Sequence, residues 1–473
     1  MSLMEPLAIR LGSQTAPAKS LVMPRYPEYK ASGVEWLGEV PGHWDVLPTK
    51  RLFRRCKDLN TGMICDNRLA LTMSGVIPRD LDDLDGLQAS EFETYQIFQK
   101  DDLAFKLIDL QNIKTSRVGI VPTTGIMSPA YIRLAASSNY SLPRYFYWYF
   151  TDLYNQQVFN QLGGGVRQTM GPEELLFLPI SVPTLEEQGC VADFLDRETG
   201  KIDALIAEQR RLVELLAEKR QAVISHAVTK GLNPNAKMKD SGIEWLGEVP
   251  EHWEVNRLKF VATVQTGIAK GKDNAGKDTI SVPYLRVANV QDGYLDLEDV
   301  ATIDIPLESL DRYRLQSGDV LMNEGGDFDK LGRGHVWRCE VDPCIHQNHV
   351  FAVRPHSISS EWLNLVTGTN YAQFYFMTRS KQSTNLASIS STNIMELPVV
   401  CPPDEEQATI ATFLNKESTK FDTLTAEANR AIELLQERRS ALISAAVTGK
   451  IDVRTLSPSP LPQAGEGQSL EVA

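Results

Sequence analysis

Two stretches of the chain space their apolar residues with the period of a long amphipathic helix. In the first, Leu195, Ile202, Gln209, Leu216 and Val223 recur every seven residues, and Leu205 and Leu212 fill the position three residues on. In the second, Leu414, Phe421, Ala428, Leu435 and Leu442 do the same, with Leu424 between them. Apolar residues alternating three and four apart over several heptads form the seam of a coiled coil. Each run is about forty residues, so at 1.5 Å per residue each predicts a rod roughly 60 Å long. Gly231 and Pro234 supply the C-cap glycine and the proline that stop the first rod. One such stripe on its own is more plainly a helix packed on its own domain. Two matching stripes in one chain predict an antiparallel coiled coil with pseudo-twofold symmetry.

The rods belong to a larger repetition. Ser32–Trp44 reads SGVEWLGEVPGHW and Ser241–Trp253 reads SGIEWLGEVPEHW, 209 residues later. Leu178–Gln188 (LPISVPTLEEQ) and Leu397–Gln407 (LPVVCPPDEEQ) repeat at an offset of 219, and the rods close on Ala227-Val228-Thr229 and Ala446-Val447-Thr448. A period this long is a duplicated domain rather than a solenoid unit. Between the repeated frames lie two divergent regions with strand-like runs at Arg117–Val121, Ala130–Leu134, Val282–Val287 and His349–Val353, and aromatic helical runs at Tyr145–Phe150 and Glu361–Phe376. Asp102-Leu103 answers Asp319-Val320, and PAYIRL (Pro129–Leu134) answers NHVFAV (Asn348–Val353), so the regions are expected to be two copies of one α/β (α+β) domain. The predicted order is an irregular N-terminus (1–25), a first lead segment and domain (26–185), a long helix (186–230), a second lead segment and domain (231–404), a second long helix (405–450) and a disordered tail (451–473).

Composition narrows the function classes. The hydrophobic and charged shares, 42% and 23%, are those of ordinary globular domains. No apolar run approaches the roughly eighteen residues that span a bilayer, and the N-terminus lacks a signal-peptide pattern. Six scattered cysteines fit reduced thiols in a cytoplasm. The net charge of −13 argues mildly against nucleic acid, but basic residues cluster locally at Lys50, Arg51, Arg54, Arg55 and Lys57.

Motifs for chemistry are missing. There is no P-loop, no glycine-rich strand–turn–helix site for a nucleotide or S-adenosylmethionine, no amino-methyltransferase tetrapeptide and no nucleophile elbow. Cys339, Cys344, His346 and His349 are the right types for zinc. Strand alternation would point His349 away from Cys344 and His346, so core cysteines beside surface histidines is the simpler reading. The paired tryptophans Trp36/Trp44 and Trp245/Trp253 are read as anchors that pin the lead segments. The polar candidates lie in loops: Lys114 and Arg117; Arg167 and Gln168 after a run of glycines; Lys270 and Lys272; Arg333 and His335; Gln347, Asn348 and Lys381. Any one of them alone is an ordinary solvated side chain. As a set on both domains they suit contacts to base edges and phosphates in a DNA groove.

The lead segments G-[VI]-E-W-L-G-E-V-P-x-H-W, the L-P-[IV]-x-x-P-x-x-E-E-Q stretches and the two helices ending in A-V-T, together covering roughly 30–450, resemble the specificity subunits of type I restriction-modification enzymes. That resemblance implies two target-recognition domains, each reading half of a bipartite double-stranded DNA site. It implies helices that set the gap and dock two methyltransferase subunits, with motor-nuclease restriction subunits as further partners. It also implies that this chain is not an enzyme and carries no cofactor, S-adenosylmethionine residing on the methyltransferase. The alternative is a coiled-coil adaptor without sequence-specific DNA binding.

Overall fold

The computed structural model describes residues 23–73, 75–80, 92–110, 117–163, 169–270, 276–326, 328, 331–382 and 387–456. They form two compact units, one from 23–208 and 431–456, the other from 209–430. The boundary falls within both long helices, because each half-helix packs on the domain nearest to it.

In the first unit Asp45–Pro48, just after Trp44, pairs antiparallel with Pro179–Val182. The repeated L-P-[IV] stretch is thus the strand that receives the lead segment. Inside that frame lies an antiparallel sheet of β1 (Phe53–Cys56), β2 (Leu103–Phe105), β3 (Val118–Ile120) and β4 (Ile132–Ala136), in the order β1-β4-β2-β3. Helix α1 (Pro143–Asn155) covers it with Tyr145, Phe146, Tyr149 and Phe150 in edge-to-face contacts with one another and with Phe53 and Phe105. Helix α2 (Leu185–Lys230) follows. Thr184 and Glu187 form a reciprocal cap at its start: the Glu187 N–H donates to Thr184 Oγ1, and the Thr184 N–H donates to Glu187 Oε2.

The second unit uses the same plan. Glu254–Arg257 pairs with Pro398–Cys401. The sheet of β5 (Ala262–Thr266), β6 (Val320–Asn323), β7 (Gly334–Val336) and β8 (Val350–Pro355) runs β5-β8-β6-β7, matching the first sheet strand for strand. The aromatic run 361–376 is two helices, α3 (Ser360–Thr367) and α4 (Asn370–Arg379), because Gly368 ends one and the Thr369 hydroxyl caps the next. Helix α5 (Asp404–Val447) closes the unit.

The repeated E-E-Q has a mechanical meaning. Glu187 accepts from His43 Nε2 at 2.8 Å, and Glu406 accepts from His252 Nε2 at 2.8 Å and Trp253 Nε1 at 3.0 Å. Gln188 Oε1 accepts from the N–H of Leu142, the N-cap of α1, and Gln407 Oε1 accepts from that of Ser359, the N-cap of α3. One dipeptide therefore ties the lead segment and the domain helix to the first turn of the long helix. Burial drives the Glu187 carboxyl upward, but the hydrogen bonds from His43 and Thr184 outweigh it and hold the group below its ordinary value.

The apolar stripe sits differently from its expected phase. Leu195, Ile202, Leu216, Leu414 and Phe421 are buried, and Val223, Leu435 and Leu442 are partly so. Leu205, Leu212 and Leu424, however, are 45%, 42% and 46% exposed. The covered positions lie four residues on, at Thr199, Ile206, Val213, Arg220 and Ala227, and at Ser418, Thr425, Ile432, Arg439 and Ala446 in α5. Residues three and four apart share one helical face, so periodicity cannot choose between them. Ion pairs occupy the four-residue positions. Arg439 grips Asp203 (Nε–Oδ1 2.8 Å) in the first unit, and Arg220 grips Asp422 (Nη1–Oδ1 2.6 Å) in the second.

The long helices end on glycines held at positive φ, Gly231 (+74°) and Gly449 (+73°), which lie against Trp253 and Trp44. A Cβ at Gly449 would meet Pro41 Cδ at 2.4 Å and Trp44 Cη2 at 3.1 Å, whereas at Gly231 the nearest atom, of Trp253, is 3.3 Å away. Gly449→Ala is therefore expected to cost about 2–4 kcal/mol, and Gly231→Ala distinctly less. Chemical denaturation of the two variants checks this, and equal losses would contradict it.

Asp152 on α1 is 2% exposed, and burial pushes its carboxyl up to about 6. A raised native value favours the protonated form, so its contribution is full below about pH 4 and is lost as pH rises through about 6. Asp152→Asn is expected to be more stable than the parent at pH 7–8, by about 1–3 kcal/mol, with the difference vanishing near pH 4. Denaturation midpoints at both pH values provide the check.

Candidate nucleic-acid interface

In the second unit one end of the sheet, where β5 and β6 finish and β7 and β8 begin, gathers polar side chains from segments far apart in sequence. Beyond β5, Ile268 bridges to Gln347, its N–H donating to the His346 carbonyl and its own carbonyl accepting from Asn348 N–H. Gly267 is required there, since a Cβ would stand 2.0 Å from the His346 oxygen. Beyond β6, Glu324 donates its N–H to the His349 carbonyl, and Gly325–Gly326 pairs with Ala387–Ser388, which in turn pairs with Lys381–Gln382. Lys270, Gln347, Asn348 and Lys381 are thereby brought to one sheet end, with both lysines exposed and the two amides half-buried.

Arg333 stands at the start of β7 on this same end, yet its guanidinium is committed to Asp292 at 2.6 Å. With His335 it lines a cleft of about 820 Å³ against α2 and α5, bounded by Arg220, Asn364 and Asp422. Burial, then the charge of Arg338, pushes the His335 imidazole below its ordinary value, so this residue offers a neutral ring rather than a cation. Arg333 and His335 thus belong to a cleft wall rather than to a free basic loop.

In the first unit the corresponding sheet end carries Lys57 beyond β1 and Lys106 beyond β2. Burial, then the charge of Arg117, lowers the Lys106 ammonium below its ordinary value. Arg117 corrects the expectation of a loop contact. It is fully buried, its guanidinium donating to the carbonyls of Ile108 and Asp109, so its charge supports the loop from beneath. A basic residue one step before a strand is indistinguishable from a surface lysine until the strand's inner face is known. Lys114, Arg167, Gln168 and Lys272 lie outside the described residues. Glu324 and His349, which no sequence motif marks as DNA contacts, also stand at the sheet end of the second unit.

The metal reading fails on geometry. Cys344 and His346 are buried, His346 Nδ1 donates to the Val350 carbonyl at 2.7 Å, and Cys339 is exposed. Burial pushes the Cys344 thiol up to about 12, away from the thiolate a metal needs. Among the described residues no group of three His, Cys, Asp or Glu is placed to hold an ion. No helix among them is long and apolar enough to cross a membrane.

The anchor tryptophans divide. Trp44 and Trp253 are fully buried, Trp36 is half-buried, and Trp245 is 39% exposed and leans on Phe374 and Tyr375.

Comparison with known proteins finds similarities over much of the chain. Residues 250–434 match the family model described as type I restriction modification DNA specificity domain. The EcoKI specificity subunit of Escherichia coli K12 is 22% identical over 325 residues, 67% of this chain and 68% of that one. The putative MjaX specificity subunit of Methanocaldococcus jannaschii is 28% identical over 201 residues, 42% of this chain and 46% of that one. A solved chain, from work titled for complex assembly and conformational transition of the type I R-M system, shares the fold. It superposes with a TM-score of 0.57 at 16% identity, over 86% of this chain and 98% of that one.

Proposed function

We propose that the chain is a DNA specificity subunit of a type I restriction-modification enzyme, a non-catalytic component, and that its two units are tandem target-recognition domains that each read one half of an asymmetric, bipartite double-stranded DNA site. The observation that carries this reading is the pair of matching sheets whose corresponding ends bear different side chains: Lys270, Gln347, Asn348 and Lys381 on one, Lys57 and Lys106 on the other. Amides and lysines in such a set hydrogen-bond to base edges and phosphates. Different sets on one scaffold imply different half-sites.

In this reading the long helices form an antiparallel coiled coil, supported by the four-three spacing of covered positions and by the equivalent ion pairs Arg220–Asp422 and Arg439–Asp203. The coiled coil sets the gap between half-sites. Leu205, Leu212, Leu215, Leu424 and Leu434, all more than 40% exposed, offer apolar area to docking methyltransferase subunits. Those subunits carry S-adenosylmethionine and flip the target adenine, in the cytoplasm of the host cell, with restriction subunits joining the assembly.

Adding one heptad to each helix, after Gln209 and after Ala428, keeps the four-three phase and lengthens each rod by about 10 Å. At about 3.4 Å per base pair the preferred gap is expected to grow by about three base pairs with both half-sites unchanged. Binding of the chain–methyltransferase complex to duplexes with graded gaps measures this. An unchanged gap would show that the helices do not act as the ruler.

A further inference from the structure

The second sheet end holds an acceptor among its donors, and it is built rather than incidental. Glu324 follows β6 directly. Its N–H donates to the His349 carbonyl at 2.9 Å and its carbonyl accepts from Ile389 N–H at 2.8 Å, so the backbone is held from both sides. Its side chain is held too. His349 Nδ1 lies 2.6 Å from Glu324 Oε2, and Asn348 Nδ2 lies 3.3 Å from His349 Nε2. An amide that donates to Nε2 leaves the ring proton on Nδ1, and Nδ1 then donates to the carboxylate. The relay Asn348→His349→Glu324 occupies Oε2 and fixes the rotamer. Oε1 has no partner among the described residues, and the side chain is 30% exposed. In the first unit the residue after Lys106, at the matching place beyond β2, is Leu107, which is buried and apolar. The first unit has no acceptor at that position.

We infer that Glu324 is a specificity-determining residue of the second recognition domain, accepting a hydrogen bond from an exocyclic amino group, cytosine N4 or adenine N6, in the major groove. The inference rests on the DNA-reading role proposed above and names one base class for it. A carboxylate only accepts. It matches the amino donors of cytosine and adenine and opposes the O6 and N7 acceptors of guanine and O4 of thymine. An anion among phosphates is costly unless cations flank it, and Lys270 and Lys381 stand on the same sheet end to meet the backbone. His349 is a positioning residue: without it the carboxylate keeps its charge but loses its fixed direction.

The test uses the full chain with its methyltransferase subunits and a random-sequence duplex library, sequencing what each complex retains. The parent is expected to require cytosine or adenine at one position of one half-site, and the base found there says which amine is read. Glu324→Gln, whose amide both donates and accepts, is expected to admit guanine or thymine there, lowering the preference about 10- to 100-fold. His349→Ala is expected to loosen the same position less, and the other half-site is expected to stay intact in both variants. An unaltered position in Glu324→Gln, or a loss spread over both half-sites, would overturn the assignment. A parent complex that retains no bipartite sequence would instead overturn the DNA-reading function beneath it.

Discussion

Trp253→Ala is expected to cost the second unit about 3–5 kcal/mol, the range for removing a fully buried tryptophan. The side chain is a hub. Its ring lies against Gly231 at the end of α2, stacks edge-to-face on Trp362 of α3 with centroids 6.0 Å apart, and donates from Nε1 to Glu406 at the start of α5. The truncation leaves a cavity among three helices and removes a donor from a carboxylate that keeps, among the described residues, His252. For a unit of this size the loss is equivalent to a fall in melting temperature on the order of 10 °C. Hydrogen exchange should report lost protection within 209–430 while the first unit keeps its own. Trp44→Ala should cost somewhat less in the first unit, because Trp44 Nε1 has no protein partner to lose. A melting temperature within 2 °C of the parent for Trp253→Ala would contradict the account of the lead segment as a packed anchor.

The second large effect is functional. Replacing Lys270, Gln347, Asn348 and Lys381 together by alanine is expected to remove selection at one half-site and leave the other. Contacts to base edges are worth about 1–3 kcal/mol each, so losing the two amides at one sheet end should reduce discrimination by at least about thirtyfold. The lysine changes alone should weaken binding of all sequences alike and flatten its salt dependence, since phosphate contacts carry no sequence. Competition binding at two salt concentrations separates the two behaviours. Retained selection at both half-sites would move the reading surface elsewhere. Stability should hardly change for the lysine replacements, because both side chains are exposed.

The residues that explain themselves in the sequence are those whose role is local and repeated. The lead segments, the E-E-Q stretches and the glycine helix stops occur twice because each makes the same contacts in its own unit: His43 with Glu187 and His252 with Glu406, Gln188 and Gln407 with the two domain-helix N-caps. Long-range placement was harder to read. Hydrophobicity favours leucine at 205, 212 and 424, whereas the structure leaves these exposed and covers the positions four residues on, where Arg220 and Arg439 pair with Asp422 and Asp203. Arg117 reads as a loop cation because nothing in the chain announces that two carbonyls will cradle it. Gln347, Asn348 and Lys381 meet Lys270 only because Ile268 bridges to Gln347 and three short strands stack beyond β6. Glu324 was invisible because an acidic residue is an unpromising DNA contact until its neighbours supply the compensating charge.

The most direct test of two readers on one scaffold is co-expression with the methyltransferase subunits, followed by sequencing of methylated bases across the host DNA. The expected result is a single bipartite motif with two unlike half-sites, adenine-methylated on both strands across a fixed non-specific gap. A stable complex that leaves the DNA unmethylated, or methylates one continuous or palindromic site, would contradict it.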